Sequence, residues 1–594
     1  DLYDIFLELP EPLVPRRLRI ELDERVLSDG EVLKPVDPAV VRALAEQLVA
    51  QGIEAVAVAL LHSYRNPEHE RQVEAILNEF APDLIVSTSS DVVPEIREYE
   101  RTSTTIANVY VRPVVTRYLG RLEESLAALG FEGSLFIMLA SGGICTVETA
   151  RKYPIRLIES GPAAGAIAAA EYGRRIGMEN LLSFDMGGTT AKACIIDGGQ
   201  PLTTSDFEVS RVYRFKKGSG LPVKVPVIEM IEIGAGGGSI AWIDSLGLLK
   251  VGPESAGAMP GPVCYGQGGT RPTVTDADLV LGYLDPGYFL GGKMTLDIAA
   301  AKEAIMEQVA EPLGLDLLSA AWGIHQVVNE NMAGAARIHA IERGKDPRAY
   351  PVFAFGGAGP VHAFNVARIL RSPRLVVPLG AGVTSTVGFL AAPLAFDFVR
   401  TYYGRLDRLD WDHVNGLFDE MEAEGRQILT AAGVPESNIS VRRFAEMRYV
   451  GQGHEIDVDM PDGRLAADDI PELVRRFEAE YRRLYERGAG DNPVEALSWR
   501  VIVSGPRPDL PLEQMRGDGD FARLVPDAQK GERRVYLPED GKLVGVPVYD
   551  RYRLGPGARF AGPAIVEERE STVVIGRNAR AEIDDFLNLI IDLR

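Results

Sequence analysis

Cysteine is nearly missing from this sequence of 594 residues: Cys145, Cys194 and Cys264 stand far apart, and no CxxC pair occurs. A disulfide framework and a cysteine zinc site are thereby excluded, and a reducing cytoplasm is the expected setting. The histidines (62, 69, 325, 339, 362, 413 and 454) form no HxxxH or HExxH pattern, so no zinc site is read from them. Positive charge is in deficit, with 63 basic against 85 acidic residues and a formal net charge of −22. Such a field repels nucleic acid and anionic membrane, and neither is expected as a partner. A local basic run, Arg214-Phe215-Lys216-Lys217, suits at most a small anion. No apolar stretch reaches the roughly 18 residues that span a bilayer, and no signal-peptide pattern occurs. The chain opens on Asp1 and reads as the middle of a longer sequence, so residues upstream are expected.

What is present is patterned α/β sequence, long enough for two to four domains. Pro38–Ala50 and Pro67–Phe80 have helical spacing, and each is followed by a strand-like run, "IEAVAVALLHS" and "DLIVSTS". This rhythm predicts a parallel or mixed sheet with helices packed on it. From Pro113 to Gly130 a further helix is predicted, and "SGPAAGAIAAAEYG" (Ser160–Gly173) and Val377–Ala392 read as small-residue helices, the latter suited to packing between domains. Beyond about Asp397 the texture becomes α+β. Amphipathic helices are predicted at Asp412–Ala432 and Ile470–Arg487, short strands between and after them, and an exposed loop at Gly505–Asp520.

The centre is rich in glycine clusters, each flanked by patterned apolar segments. In "LLSFDMGGTTAKACIIDGG" one strand delivers Asp185 to a turn, and Gly187-Gly188 return the chain into a second. Two readings stand. One is a plain Gly-Gly hairpin. The other is a phosphate cradle, with glycine amides and the Thr189 and Thr190 hydroxyls as donors and Asp185 holding hydrated Mg²⁺. "EIGAGGGSIAWID" places Gly236, Gly237, Gly238 and Ser239 before a strand. It presents backbone donors to a ligand or makes a tight crossover, and no helix follows as a dinucleotide fingerprint requires. "YPVFAFGGAGPVHAF" is strand, loop and helix, with Gly356, Gly357, Ala358 and Gly359 at a helix N-terminus that favours a nucleotide, or else an ordinary βα loop. In "PTVTDADLVLGYLD", Asp276 and Asp278 are candidates for a base or a metal ligand, with helix capping as the commoner use. Cys264 reads as a buried structural thiol.

Taken together, "EYERTSTTIANVYVRP", "ESGPAAGA", "FDMGGTTAK", "GAGGGSIA", "VGPESAGAMPGPVCYGQGGTRPTVTDADLVLG", "FGGAGPVHA", "MRYVGQGHEIDV" and "GPAIVEE" resemble the hydantoinase A/5-oxoprolinase family, in the family's order and over nearly the whole chain. The resemblance implies an actin/hexokinase-like (ribonuclease H-like) fold of duplicated α/β ATPase domains, the first N-terminally incomplete, with an added C-terminal α+β domain. The expected divisions are 1–101, 102–397 and 398–594. Asp185–Thr190 matches the second phosphate loop and Gly356–Gly359 the adenosine loop. The first, a DxGGTxTD-type hairpin, would precede Asp1, which leaves the chain as given incomplete for catalysis. The family also implies ATP and Mg²⁺ as cofactors, with Asp185 as the metal ligand and Asp185, Lys192, Asp276 and Asp278 as candidate catalytic residues. Many relatives carry an acid where this chain has Lys192, a point charge suited to a phosphate. The expected activity is phosphorylation of the carbonyl oxygen of a cyclic amide, a hydantoin, lactam or 5-oxoproline, for ring opening with a hydantoinase B-type partner subunit. The alternatives are an ATP-dependent ketone carboxylase subunit and a nucleotide-binding assembly subunit without chemistry of its own.

Overall fold

The computed structural model describes residues 6, 8–213, 218–485, 492–510 and 525–593. The basic run at 214–217, the end of the predicted helix beyond 485 and most of the predicted loop at 505–520 lie outside them. The chain divides into two compact units. One comprises 1–160, 203–227 and 392–508, the other 161–202, 228–391 and 509–594.

The second unit is an α/β structure built on a nine-stranded sheet. Its spatial order is Met230–Ile233, Ala191–Asp197, Leu181–Met186, Val352–Phe355, Arg374–Val377, Leu589–Asp592, Arg580–Ile583 and Arg559–Ala561, with Gln200–Pro201 paired to the second of these. Val352–Phe355 runs parallel to both neighbours and all four of its residues are buried. A strand covered on both faces has no solvent side to alternate with, hence the unbroken apolar VFAF. Register places Phe355 opposite Asp185, and Asp185 opposite Lys192 on the antiparallel side. The loops after Met186 and Phe355 therefore emerge side by side. Helix Leu317–Glu342 packs a face of Ala320, Ala321, Ile324, Val328, Met332 and Ala336 into the same core, at the three-to-four spacing that lines one side of a helix. The two small-residue segments meet inside this unit, and not between domains as expected. Gly388 of helix Ser385–Ala391 backs so closely on the Ala164 carbonyl of helix Ser160–Arg175 that a Cβ there would overlap it. The predicted Val377–Ala392 helix is itself shorter, because Arg374–Val377 completes a strand and Gly380 turns left-handed at φ 72°.

The first unit carries a parallel strand pair, Ala55–Val58 with Ile85–Thr88, covered by helices Pro38–Ala50 and Glu68–Phe80. It also holds a four-stranded antiparallel sheet with helices Trp411–Ala431 and Ile470–Tyr485 packed against it. Its long helix runs from Glu98 to Ala128 with Pro113 inside, beginning well before the predicted start at Pro113. The early turns escaped notice because their buried face is polar. Arg101 donates to the carbonyls of Glu95 and Leu60, and the Thr104 and Thr105 hydroxyls donate to the carbonyls four residues back. Hydropathy periodicity does not register a buried face whose polar groups are satisfied internally.

Candidate functional site

Three of the glycine segments converge in the second unit. The hairpin turn 187–190 closes with the Gly187 amide donating to the Thr190 carbonyl at 3.1 Å. Segment 236–238 lies directly on it: Gly237 and Gly238 donate to the carbonyls of Gly187 and Gly188 at 3.1 and 2.6 Å. From the other side, Ala358 donates to the Met186 carbonyl at 3.0 Å. Gly356, at φ 90°, leaves no room for a side chain, since a Cβ would stand 2.4 Å from the Met186 carbonyl oxygen and 2.5 Å from Asp185 Oδ1. Gly359 opens helix Gly359–Leu370 against Met186.

The three segments wall a cleft of about 330 Å³. Gly188, Thr189, Gly237, Gly238, Gly357 and Ala358 line it, with Asp278 among the deeper residues. A Cβ on Gly187 or Gly188 would meet nothing within 4 Å. Among the described residues the amides of Gly188 and Thr189 have no backbone hydrogen-bond partner, whereas those of Gly187, Gly237 and Gly238 donate to backbone carbonyls and that of Gly236 to the Ser239 hydroxyl.

Asp185 is mostly buried at the end of its strand. Burial pushes its carboxyl up to about 6, and Lys192 across the strand pair draws it back only in part. The Lys192 ammonium is paired with Glu232 at 3.1 Å and donates to the Thr190 hydroxyl at 3.2 Å. It thereby ties the hairpin to the neighbouring strand Met230–Ile233. Ser239 is fully buried, and its hydroxyl accepts from the Gly236 amide at 2.8 Å.

The two acids of "TVTDAD" have separate employment. Asp276 is buried and accepts from the amides of Cys264, Val263 and Thr273 and from the Thr273 hydroxyl, at 2.7 to 3.2 Å. This capping box opens helix Val274–Val280 and leaves Asp276 no face toward the cleft, the physical reason it falls out of the candidate catalytic set. Cys264, fastened beside it, is a buried thiol whose pKa is raised by burial and by Asp276. Asp278 accepts from His325 Nδ1 at 2.7 Å and faces His362 Nε2 at 3.1 Å. Burial alone would raise its pKa; His362 and His325 hold it down at about 2.

Two parts of the cleft wall were missed in the sequence. One is aromatic, Tyr265, Tyr288 and Phe289, of which Tyr265 and Phe289 have ring centroids 5.7 Å apart. The other is Glu567–Thr572, near the far end of the chain. Glu568 accepts from the Gly380 and Ala381 amides and from Ser571, which fastens this loop to the turn after Val377, whose Ala381 carbonyl accepts in turn from the Gly356 amide at 2.9 Å. The only sequence signal for it was the motif GPAIVEE, which ends at its edge.

A sequence model described as hydantoinase/oxoprolinase matches residues 101–398, flanked by that family's N-terminal region at 1–81 and its C-terminal domain at 408–593. The chain belongs to the hydantoinase/oxoprolinase family. Among the relatives of this member, an uncharacterized protein of Methanocaldococcus jannaschii is 37% identical over 98% of the chain and 84% of its own length. The caprolactamase subunit alpha of Pseudomonas jessenii is 34% identical over 98% of the chain and 82% of its own. The acetophenone carboxylase gamma subunit of Aromatoleum aromaticum is 32% identical over 97% and 79%. The crystal structure of the ATP-dependent caprolactamase from P. jessenii superposes on 99% of this chain and 84% of that one with a TM-score of 0.84, at 33% identity. No helix among the described residues is long and apolar enough to cross a membrane.

Proposed function

We propose that this chain is an ATP-dependent enzyme subunit that binds ATP–Mg²⁺ in the glycine-walled cleft and phosphorylates the carbonyl oxygen of a cyclic amide. The observation that carries the reading is the pairing of the open Gly187-Gly188 turn with the unpartnered Gly188 and Thr189 amides, on the wall of one cleft. A backbone corner without side chains and with free donors is what a phosphate group requires. The residues fit the cofactor: the amides of Gly188 and Thr189 would take phosphate oxygens, and Gly357 and Ala358 would receive the nucleoside. Asp185 is the carboxylate placed for the Mg²⁺ shell, an oxygen donor of the kind that ion prefers. Lys192, with its ammonium fixed between Glu232 and Thr190, sets the charge around Asp185 and anchors the hairpin. We place the fold with the actin/hexokinase-like ATPases on the same ground, a parallel sheet centre with nucleotide loops at the ends of adjacent strands.

ATP supplies the phosphoryl group that turns an amide, a poor electrophile, into a phosphorylated imidate, a good one. The chain's own share is to fix the phosphates by backbone donors and to hold the acid that balances their charge. Ring opening falls to a hydantoinase B-type partner subunit. Amide over ketone is favoured by the likeness to the ATP-dependent caprolactamase, while the acetophenone carboxylase relative supports ketone carboxylation as a second reading.

The test is ADP release by the chain with its partner subunit, comparing hydantoins and lactams with ketones plus bicarbonate. Cyclic-amide-dependent ADP release is the expected result. Dependence on ketone and bicarbonate alone replaces the first reading with the second. Calorimetry showing no ATP–Mg²⁺ binding removes both, and binding without turnover of either substrate class leaves an assembly subunit.

A further inference from the structure

Behind the cleft, three helices of the second unit bring polar side chains into an otherwise apolar core. Helix Val274–Val280 contributes Asp278, helix Leu317–Glu342 contributes His325 and Asn329, and helix Gly359–Leu370 contributes His362 and Asn365. His325 and His362 are fully buried, and Asp278 is 3% exposed. One oxygen of Asp278 and one nitrogen of each histidine all lie within 4.8 Å of one another. The outer nitrogens are held crosswise. Asn365 Nδ2 meets His325 Nε2 at 3.2 Å, and Asn329 Oδ1 meets His362 Nδ1 at 2.8 Å, so each of these two helices orients the other's imidazole. Trp322 and Tyr283 close over His325, with centroids at 5.3 and 5.2 Å.

The Asn329 amide nitrogen is buried without a partner, while its oxygen faces His362 Nδ1 at 2.8 Å. With that oxygen accepting from Nδ1–H, the Nε2 lone pair of a neutral His362 faces Asp278 Oδ2 at 3.1 Å, two donor atoms suited to one cation. With the amide turned over, Nε2–H donates to Asp278 instead, so the metal-free network closes on itself and the site can exist with or without an ion. Two imidazoles and a carboxylate, each imidazole steered by an outer hydrogen bond, are a three-ligand set of the kind zinc and related ions take. Nitrogen donors distinguish it from the oxygen environment Mg²⁺ prefers. Asp278 also borders the cleft, which gives an ion a way in.

We propose that Asp278, His325 and His362 form a site for one divalent transition-metal ion, with Zn²⁺ as the reference ligand, separate from the ion that accompanies ATP. The ion ties the three helices behind the cleft together. Its binding is independent of the phosphoryl-transfer reading and is measured without turnover.

The full chain, produced without a histidine tag and gel-filtered, is analysed by plasma mass spectrometry and, after stripping with a chelator, titrated with Zn²⁺ and with Co²⁺. The expected result is one equivalent of metal per chain, visible Co²⁺ d–d bands, and imidazole scattering in the X-ray absorption spectrum of the zinc form. Asp278→Asn and His325→Gln should abolish the Co²⁺ bands, and the milder Asn365→Ala should weaken Zn²⁺ about tenfold while keeping all three ligands. Wild-type protein that binds neither ion stoichiometrically overturns the proposal and leaves a hydrogen-bonded Asp278–histidine network in its place. So does metal retained at full stoichiometry in variants that circular dichroism shows to be folded. Should every variant misfold, the X-ray absorption spectrum of the wild type decides alone, since absence of imidazole shells places the metal elsewhere.

Discussion

The Gly187-Gly188 turn and the Gly236–Gly238 segment touch each other and border one cleft, the first through Gly188 and the second through Gly237 and Gly238, yet their surroundings differ. Side chains on the first pair would enter open space, whereas a Cβ on Gly236 would stand 2.7 Å from the backbone of Gly188 and Thr189, and one on Gly238 2.9 Å from Ser255 Oγ. The amides of 236–238 are all taken up inside the protein, and so is that of Gly187, which closes the hairpin, whereas that of Gly188 is left to the cleft. Glycine in the second segment thus serves packing and holds the first in place. Glycine in the first keeps a surface bare for a ligand.

Substitutions can separate the two roles. The largest effect is expected for Gly236→Ala, where backbone on both segments must move. Chemical denaturation should show a loss of about 3 kcal/mol or a chain that does not fold. Asp185→Asn should act in two directions. ATP turnover should fall at least about 100-fold, the scale of losing one preorganised charge. Stability should rise at neutral pH. Burial raises the folded-state pKa from 3.8 to about 6, so wild-type protein loses stability as pH rises through that interval and bears the full penalty above it. Melting of the nucleotide-free proteins should therefore favour Asp185→Asn by up to about 3 kcal/mol at pH 8, with the difference gone below about pH 4. No change in turnover would remove Asp185 from the site.

Gly188→Ala sharpens the contrast. Its melting should match wild type within about 0.5 kcal/mol, and its affinity for ATP–Mg²⁺ by calorimetry should fall about tenfold. An equal loss of stability in Gly188→Ala and Gly236→Ala would show that the two segments do one job. The smallest effect is expected for Thr275→Val, which removes the 2.8 Å hydrogen bond to the Gly237 carbonyl and should cost about 1 kcal/mol.

Regular elements were legible in the sequence where apolar residues repeat at helical spacing or run unbroken through a strand buried on both faces. Pro38–Ala50 and Val352–Phe355 have the boundaries their patterns predict, and Trp411–Ala431 lies one residue away. Glu98–Ala128 was half hidden, because the buried face of its first turns carries Arg101, Thr104 and Thr105, whose hydrogen bonds no hydropathy pattern reveals. At the site, the glycine loops were visible as motifs because each needs its glycines locally. Asp276 and Asp278, two residues apart, looked alike, and only their partners separate a helix cap from a cleft acid.

By itself the sequence determined the strands, the glycine turns and the family, because local backbone needs and apolar periodicity are written residue by residue. Tertiary structure decided what those residues do together. It interleaved 161–202, 228–391 and 509–594 into one unit, and brought Glu567–Thr572 to a cleft whose other walls lie about 200 to 400 residues earlier. It also set His325 and His362 on the two carboxylate oxygens of Asp278, although no histidine spacing announces it. The physical reason is that hydrogen bonds and burial act over ångströms in space and are indifferent to distance along the chain.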